Sequence, residues 1–341
     1  MTGPLHAHHE FDFGEDGLFL DPYGVPCAMF GVVEFQDFWN TVDAVYESPL
    51  GRKLIYAAAD AEEYLLHRHP DFQFGRWFGK KRVLDRLNAR WATMGWGLLS
   101  ESQIRSPVHD ALTVGFALAH SEHLDQERYE LGWRQVHAEE IRLELRPKEH
   151  ASMVDVKAPP PMDGAWHQPA VSNVVALELE LRKIGFFLGQ ERSFFLPIHV
   201  LRYLSKELNG RPISALQSFQ ISGGSSSVDD VFVSMAHGMA VAFDRSDFPV
   251  YLRTSSDWQG ILDERFHRRG WGTVNVLQSI LDHDAATVFE VASPIPALVA
   301  GALVGMWQRG HGLRANVYLQ FEDGKAILTM KKQTVDYEVK S

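Results

Sequence analysis

The chain has 341 residues, of which 45% are hydrophobic and 23% are charged, and its net charge is −11. This length and composition indicate a globular protein with about two domains. A negative net charge argues against a general nucleic-acid-binding protein, because such proteins neutralise phosphates with a basic face. Cys27 is the only cysteine, which excludes an internal disulfide or a zinc site built from cysteines and fits a cytoplasmic location.

The sequence predicts neither a targeting segment nor a membrane span. The N-terminus carries histidines and acidic residues instead of a basic start and an apolar core, so a signal peptide is not expected. The longest apolar run, residues 295–307, contains Pro296 and is too short to cross a bilayer. It predicts a buried helix.

The first half reads as three helices followed by a pair of strands. Apolar residues at helical spacing and the flanking Pro70 and Gly95 set the helix ends. The helices are predicted from residue 49 to about 69, over 77–94 and from 107 through 118, and the strands between 128 and 145.

A proline-rich stretch separates this half from the next. Residues 157–164 favour an extended spacer, so the predicted domains are 1–155 and 165–341 with a linker at 156–164. The second half should contain helices at 175–188, 194–208, 257–269 and 293–307, paired strands at 273–281 and 287–291, and a hairpin at 316–321 and 326–331.

The tripeptide Gly-Trp-Gly occurs twice, around Trp96 and around Trp271. Each copy follows a charged helix and precedes a Ser-Pro pair, at Ser106 and Ser293, that leads into an apolar helix. The repeated order predicts an α/β (α+β) fold of two modules related by internal duplication, each with helices packed on an antiparallel sheet.

The stretch around the second motif resembles the 4-vinyl-reductase domain, a relative of the small subunits of the TRAPP vesicle-tethering complexes. The resemblance rests on Arg268-Arg269-Gly270-Trp271-Gly272, two strands, Ala292-Ser293-Pro294, a glycine-containing apolar helix and a hairpin. It covers residues 257–331 and, more weakly, 76–146, as two degenerate tandem copies. The family implies binding of small aromatic molecules or a place beside tetrapyrrole biosynthesis. Many members hold zinc on late cysteines, which this chain lacks, so no cofactor is implied.

The aromatic residues of the second module are the predicted ligand site. In this hypothesis a cavity is bordered by Phe266, Trp271 and Trp307, with His267 and His311 as its polar groups. The alternative for both Gly-Trp-Gly motifs is structural, with the glycine ending a helix and the tryptophan packing between helix and sheet. The leading function is therefore a non-enzymatic sensor or adaptor that binds a small hydrophobic or aromatic molecule or a partner protein.

No catalytic residue can be named with its partner, so an enzyme or accessory factor acting on a tetrapyrrole or aromatic substrate is the alternative. A structural subunit of a larger assembly is the third interpretation. His120 and His123 have a spacing that can hold one metal ion with Glu139 or Glu140, but no metal-binding signature accompanies them.

The two modules are expected to pair within the chain and leave it a monomer. The helices at 77–94 and 257–269 are the predicted contact, with Trp77 and Trp258 buried between the halves.

Overall fold

The computed structural model describes residues 4–6, 11–13, 19–74, 79–153, 155–160, 178–182, 185–214, 216, 221–222, 228–281, 284–322 and 325–333. Within these ranges lie eight α-helices: α1 (Val32–Val45), α2 (Lys53–Arg68), α3 (Gly79–Met94), α4 (Asp110–Asp125), α5 (Ile198–Leu208), α6 (Asp230–Arg245), α7 (Asp257–Arg265) and α8 (Pro296–His311). None of these helices is long and apolar enough to cross a membrane.

Strands of the described residues form three sheets. The strands are β1 (Pro4–His6), β2 (Asp12–Phe13), β3 (Phe19–Leu20), β4 (Pro26–Gly31), β5 (Leu98–Ser100), β6 (Gln103–Arg105), β7 (Tyr129–His137), β8 (Glu140–Pro147), β9 (Glu178–Arg182), β10 (Gly185–Leu188), β11 (Glu191–Pro197), β12 (Ile221–Ser222), β13 (Thr273–Ile280), β14 (Ala286–Ala292), β15 (Ala315–Glu322) and β16 (Lys325–Lys332). Their orders are β1-β9-β10-β11-β4-β3-β2, β5-β6-β8-β7 and β12-β15-β16-β14-β13. All neighbours are antiparallel except β12 and β15, so the fold is mixed α/β, as predicted.

The seven-stranded sheet contains strands from both sides of the proline-rich stretch. Its centre is the antiparallel pair of β4 and β11, in which Met29 lies opposite Phe195. Each strand leads directly into a helix, β4 into α1 and β11 into α5. The sheet therefore crosses the predicted boundary at 156–164, although the boundary itself stays a prediction.

The helix-to-helix contacts between the halves join other pairs than the predicted one. α1 packs against α6, and α5 packs against α2. Trp258 is fully buried within the second half, where its ring meets Phe289 at 5.1 Å between centroids and His311 at 6.4 Å. Its predicted place between the halves is therefore wrong, because α7 packs on β13 of its own half. Trp77 lies outside the described residues.

The two tryptophans of the repeated tripeptide make reciprocal contacts across the central strand pair. Trp96 of the first half donates its indole N–H to the carbonyl of Phe195 at 2.8 Å, and Trp271 of the second half donates to the carbonyl of Met29 at 2.8 Å. Because Met29 and Phe195 are paired in the sheet, each half closes on the strand of the other. These contacts agree with duplication of one module, which stays a prediction.

Two helix predictions in the second half fail for identifiable reasons. Residues 178–182 and 185–188 form the hairpin of β9 and β10 instead of a helix. The alternation of Glu178–Arg182 has a period of two, and Gly185 adopts a φ of 128°, which is open to glycine but strained for other residues. The helix predicted from residue 194 begins only at Ile198, because the preceding apolar run is the buried central strand β11.

Candidate ligand-binding cleft

Three helices of the second half surround a cleft of about 490 Å³. One wall is α5, and the first turns of α6 and α8 form the others. Its apolar lining includes Leu201, Val231, Phe232, Met235, Ile295 and Leu298. This volume falls within the roughly 300–1,000 Å³ of small-molecule sites, which combine an apolar lining with a few polar groups.

Local hydrogen bonds set the first residues of α6 and α8, two of the helices that border the cleft. Asp229 precedes α6 and accepts the backbone N–H of Phe232 at 2.8 Å, which caps the helix. Before α8, the hydroxyl of Ser293 donates to the carbonyl of Trp271 at 2.6 Å and accepts the N–H of Ile295 at 3.0 Å. The Ser-Pro motif thus ties the start of α8 to the buried tryptophan of the second Gly-Trp-Gly.

Polar groups stand at the α5 side of the cleft. They are Arg202, Ser205, Lys206 and Asn209, while Asp229 faces them from the start of α6. Arg202 also donates its Nε–H to the carbonyl of Pro160 at 2.5 Å, and burial lowers the pKa of its guanidinium. Arg202 and Lys206 outnumber the single carboxylate of Asp229, so the charge beside the apolar lining is mainly cationic.

The equivalent positions in the first half carry large aromatic side chains. Counted from the helix start, the fourth and eighth residues of α5 are Leu201 and Ser205, whereas in α1 they are Phe35 and Trp39. The ring of Phe35 lies 5.4 Å from that of His109, the residue before α4. Three large rings of low exposure thus occupy this end of the first half.

His109 lies in an apolar environment. Its Nδ1 has no hydrogen-bond partner among the described residues, and burial lowers its pKa to about 4. The imidazole is therefore neutral at physiological pH and packs as an aromatic ring.

The aromatic residues predicted to border a ligand cavity lie in closed packing. Phe266, Trp271 and Trp307 have no exposed surface. Trp307 donates its indole N–H to the hydroxyl of Thr287 at 3.1 Å, and Trp271 donates its indole N–H to the carbonyl of Met29. None of the three lines the cleft. The packing of Trp271 is the one expected if the tryptophan of Gly-Trp-Gly has a structural role between helix and sheet.

The two histidines predicted as polar groups of that cavity also lie away from the cleft. His311 stacks on Trp307 with 4.3 Å between ring centroids, and its Nδ1 lies 2.9 Å from the carbonyl of Trp307. His267 lies near Asp263, with 4.0 Å between Nδ1 and the carboxylate. His311 thus extends the aromatic packing around Trp258 and Trp307, and His267 belongs to the surface of the turn after α7.

His120 and His123 point to different partners and do not form a metal site together. The Nε2 of His120 lies 3.0 Å from Glu62, and its Nδ1 accepts the indole N–H of Trp91 at 2.9 Å. The Nε2 of His123 lies 2.9 Å from the carbonyl of Phe72. No group of three or more metal-ligating side chains occurs among the described residues.

A buried arginine lies five residues before each Gly-Trp-Gly. The guanidinium of Arg90 lies 5.2 Å from the ring of Trp96, and that of Arg265 lies 5.0 Å from the ring of Trp271. The pair repeats the same local geometry in the two halves. These arginines orient the motif's tryptophan by packing over its face.

The carboxylates that neutralise Arg90 come from its own half of the chain. Arg90 binds Asp21 and Glu62, and its Nε lies 2.6 Å from Glu62. Burial alone would raise the pKa of Glu62, but Arg90 and His120 bring it down to about 2. The cluster is fully enclosed, so it offers no access to a substrate.

Sequence reasoning missed α6, which supplies part of the cleft. The signal was present: Asp229 is a capping residue, and Val231, Phe232, Met235 and Met239 follow at helical spacing. The position of the cleft itself depends on α5, α6 and α8 meeting, which no local pattern encodes.

Comparison of the chain with protein-family models, with curated proteins and with solved structures gave no match.

Proposed function

We propose that this protein is a non-enzymatic tandem module, of the kind the 4-vinyl-reductase resemblance suggests, which binds a small hydrophobic or aromatic molecule in the cleft between α5, α6 and α8. The observation that carries the proposal is the pairing of an apolar lining with a few polar groups in a space of about 490 Å³. The cationic side chains of α5 favour a ligand with an apolar body and an acidic or polar group.

The filled counterpart in the first half supports a division of roles. In the first half, Phe35, Trp39 and His109 pack in the place that corresponds to the cleft, so this half serves to stabilise the pair of modules. In the second half, the smaller Leu201 and Ser205 leave the cleft open for a ligand. We infer that the halves diverged after duplication and pair within one cytoplasmic, monomeric chain. The reciprocal hydrogen bonds of Trp96 and Trp271 support the pairing of the halves within the chain.

The cleft can be tested by making the second half resemble the first. Leu201→Phe with Ser205→Trp introduces the rings found at the same positions of α1 and should fill the cleft. We expect the affinity for the fluorescent anionic aromatic probe 1-anilinonaphthalene-8-sulfonate to fall at least about tenfold, which corresponds to about 1.4 kcal/mol. Fluorescence titration measures this, and sedimentation of the same samples should report monomers.

Glu264→Trp, at an exposed position of α7 outside the cleft, is the matched control and should leave probe binding unchanged. Circular dichroism should show that the double variant keeps its fold. If the folded double variant binds the probe as tightly as the native protein, the cleft is not the site.

A further inference from the structure

Residues 155–160 cross from the first half to the second along the junction of α2 and α5. Side chains of these helices donate hydrogen bonds to the carbonyls of this segment. Arg68 Nη2 donates to Val156 at 3.2 Å, Tyr203 Oη donates to Lys157 at 2.6 Å, and Arg202 Nε donates to Pro160 at 2.5 Å. A second nitrogen of the same guanidinium, Arg202 Nη2, donates to the carbonyl of Pro159 at 3.4 Å. Four of the six carbonyls are therefore engaged by side chains.

The backbone–backbone hydrogen bonds between elements of the described chain leave this segment out. It belongs to no helix or strand, and Pro159 and Pro160 cannot donate a backbone N–H. What holds it is therefore the set of side-chain donors on α2 and α5, together with the packing of its own side chains.

Val156 and Pro159, three residues apart, are the segment's residues that face the protein interior most clearly. Val156 packs against the hydrophobic core and Pro159 is buried, whereas Lys157 and Ala158 between them are exposed. A polyproline II helix has three residues per turn, so residues three apart lie on one face. The two prolines and the restriction they place on the preceding residue favour this conformation.

The receiving surface combines aromatic rings with the donors. The guanidinium of Arg68 lies 4.1 Å from the ring of Tyr64, and the ring of His199 lies 5.7 Å from Tyr64. Tyr203 is buried up to its hydroxyl, which reaches Lys157. Proteins bind polyproline II segments in grooves lined by aromatic residues, and here the rings lie beside the side chains that donate to the segment's carbonyls.

We propose that the junction of α2 and α5 is a binding site for proline-rich peptides in the polyproline II conformation, with an apolar residue three positions before a proline. The chain's own residues 155–160 occupy this site in cis. The partner is a protein that carries an exposed segment of this pattern and competes with the internal one. The proposal does not depend on the ligand-binding cleft, although Pro160 lines its edge.

The internal segment contains its own reporter, because trypsin can cleave after the exposed Lys157 once the backbone of the segment leaves the groove. A synthetic peptide Asp-Val-Ala-Ala-Pro-Pro keeps the half-buried valine and the buried proline and lacks the lysine. Added in excess to the native chain, it should displace the segment and accelerate cleavage after Lys157 at least about threefold, as measured by mass spectrometry. The peptide Asp-Ser-Ala-Ala-Gly-Pro, which lacks both of these inward-facing side chains, should have no effect.

Tyr203→Phe removes one donor of the groove and leaves its ring in place. Since one hydrogen bond contributes about 0.5–1.5 kcal/mol, cleavage after Lys157 in this variant without peptide should rise about twofold to tenfold. Val156→Ser with Pro159→Gly weakens the internal segment, so labelled Asp-Val-Ala-Ala-Pro-Pro should bind this variant at least about tenfold more tightly than the native chain. Unchanged cleavage with both the peptide and Tyr203→Phe, or equal peptide affinity of the folded variant and the native chain, would overturn the proposal.

Discussion

The two halves share the contacts that hold them together and differ at the helix ends beyond those contacts. In both, a tryptophan of Gly-Trp-Gly reaches a carbonyl of the other half's central strand. In the first half, however, Phe35 and His109 pack together at the start of α4, whereas α5 and the start of α8 border an open cleft. The contacts at the centre constrain both halves, while the outer helix ends are free to diverge in side-chain size.

The two halves also differ in where the carboxylates of their buried ion pairs come from. The carboxylates of Arg90 belong to its own half, but Arg265 and Arg269 of the second half both bind Glu34 of the first. Arg269 also lies 3.3 Å from Glu191, which is partly exposed. Charge neutralisation is thus local in the first half and shared across the junction in the second, so the junction depends on one residue of α1.

Glu34→Gln should therefore have the largest effect on stability. The change leaves Arg265 buried without a carboxylate, and breaking a buried ion pair from one side costs about 3–5 kcal/mol. Glu62→Gln should cost less, because Asp21 still binds Arg90. Urea unfolding followed by tryptophan fluorescence gives both values.

Glu207→Gln is the control for these variants, because its ion pair with Lys53 is about one-third exposed and such pairs contribute up to about 1 kcal/mol. A Glu34→Gln cost no larger than that of Glu207→Gln would show that the junction does not depend on this residue.

Several elements follow from the sequence because their signals are local. The hairpin of β15 and β16 and the strand pair of β13 and β14 form where alternation predicts them. The helix predicted over 77–94 matches the described α3, and Gly95 ends it with a φ of 72°. In each case the element's own residues carry the periodicity, so no distant contact is needed to recognise it.

Other parts depend on distant contacts. The buried run of β4 is apolar on both faces because it lies at the centre of a sheet covered by helices, so it lacks the alternation that marks an exposed strand. The pairing of Met29 with Phe195 joins residues far apart in the chain. Side-chain size at the fourth position differs between α1 and α5, but only the packed structure shows what those residues face.

The glycines before the two tryptophans offer a second, smaller test of the comparison. Gly95 and Gly270 both have a φ of 72°, but a Cβ added at Gly270 would lie 2.3 Å from the ring of Phe19, and one at Gly95 would lie 2.7 Å from the ring of Phe186. We expect Gly270→Ala to cost about 2–3 kcal/mol and Gly95→Ala somewhat less, from left-handed strain of about 1–2 kcal/mol plus the clash.

Gly24→Ala isolates the backbone contribution. Gly24 has a φ of 74° and no atom within 4 Å of an added Cβ, so only the strain remains. Equal costs for Gly24, Gly95 and Gly270, measured by thermal unfolding, would mean that the rings move aside at both tripeptides and that the two contacts do not differ.

The smallest expected effect concerns the paired helix contacts, α2 with α5 and α6 with α1. The eighth residue of α2 is Asp60, and the eighth residue of α6 is His237. Burial, with added repulsion from Glu63 and Glu207, raises the pKa of Asp60 to about 6 from 3.8. The folded chain therefore keeps a proton that the unfolded chain releases, and stability falls as the pH rises from about 4 to about 6.

Asp60→Asn removes this penalty and should raise the free energy of unfolding at pH 7 by roughly 1 kcal/mol, after a reduction for partial solvent screening, with no gain at pH 4. Burial lowers the pKa of His237, so His237→Gln should show the opposite dependence, with a gain that appears only as the pH falls below about 6.5. Urea unfolding at pH 4, 5.5 and 7 separates the two. If the Asp60→Asn gain is the same at all three, proton binding at α2 is not its cause, and the two helix contacts do not differ in their response to pH.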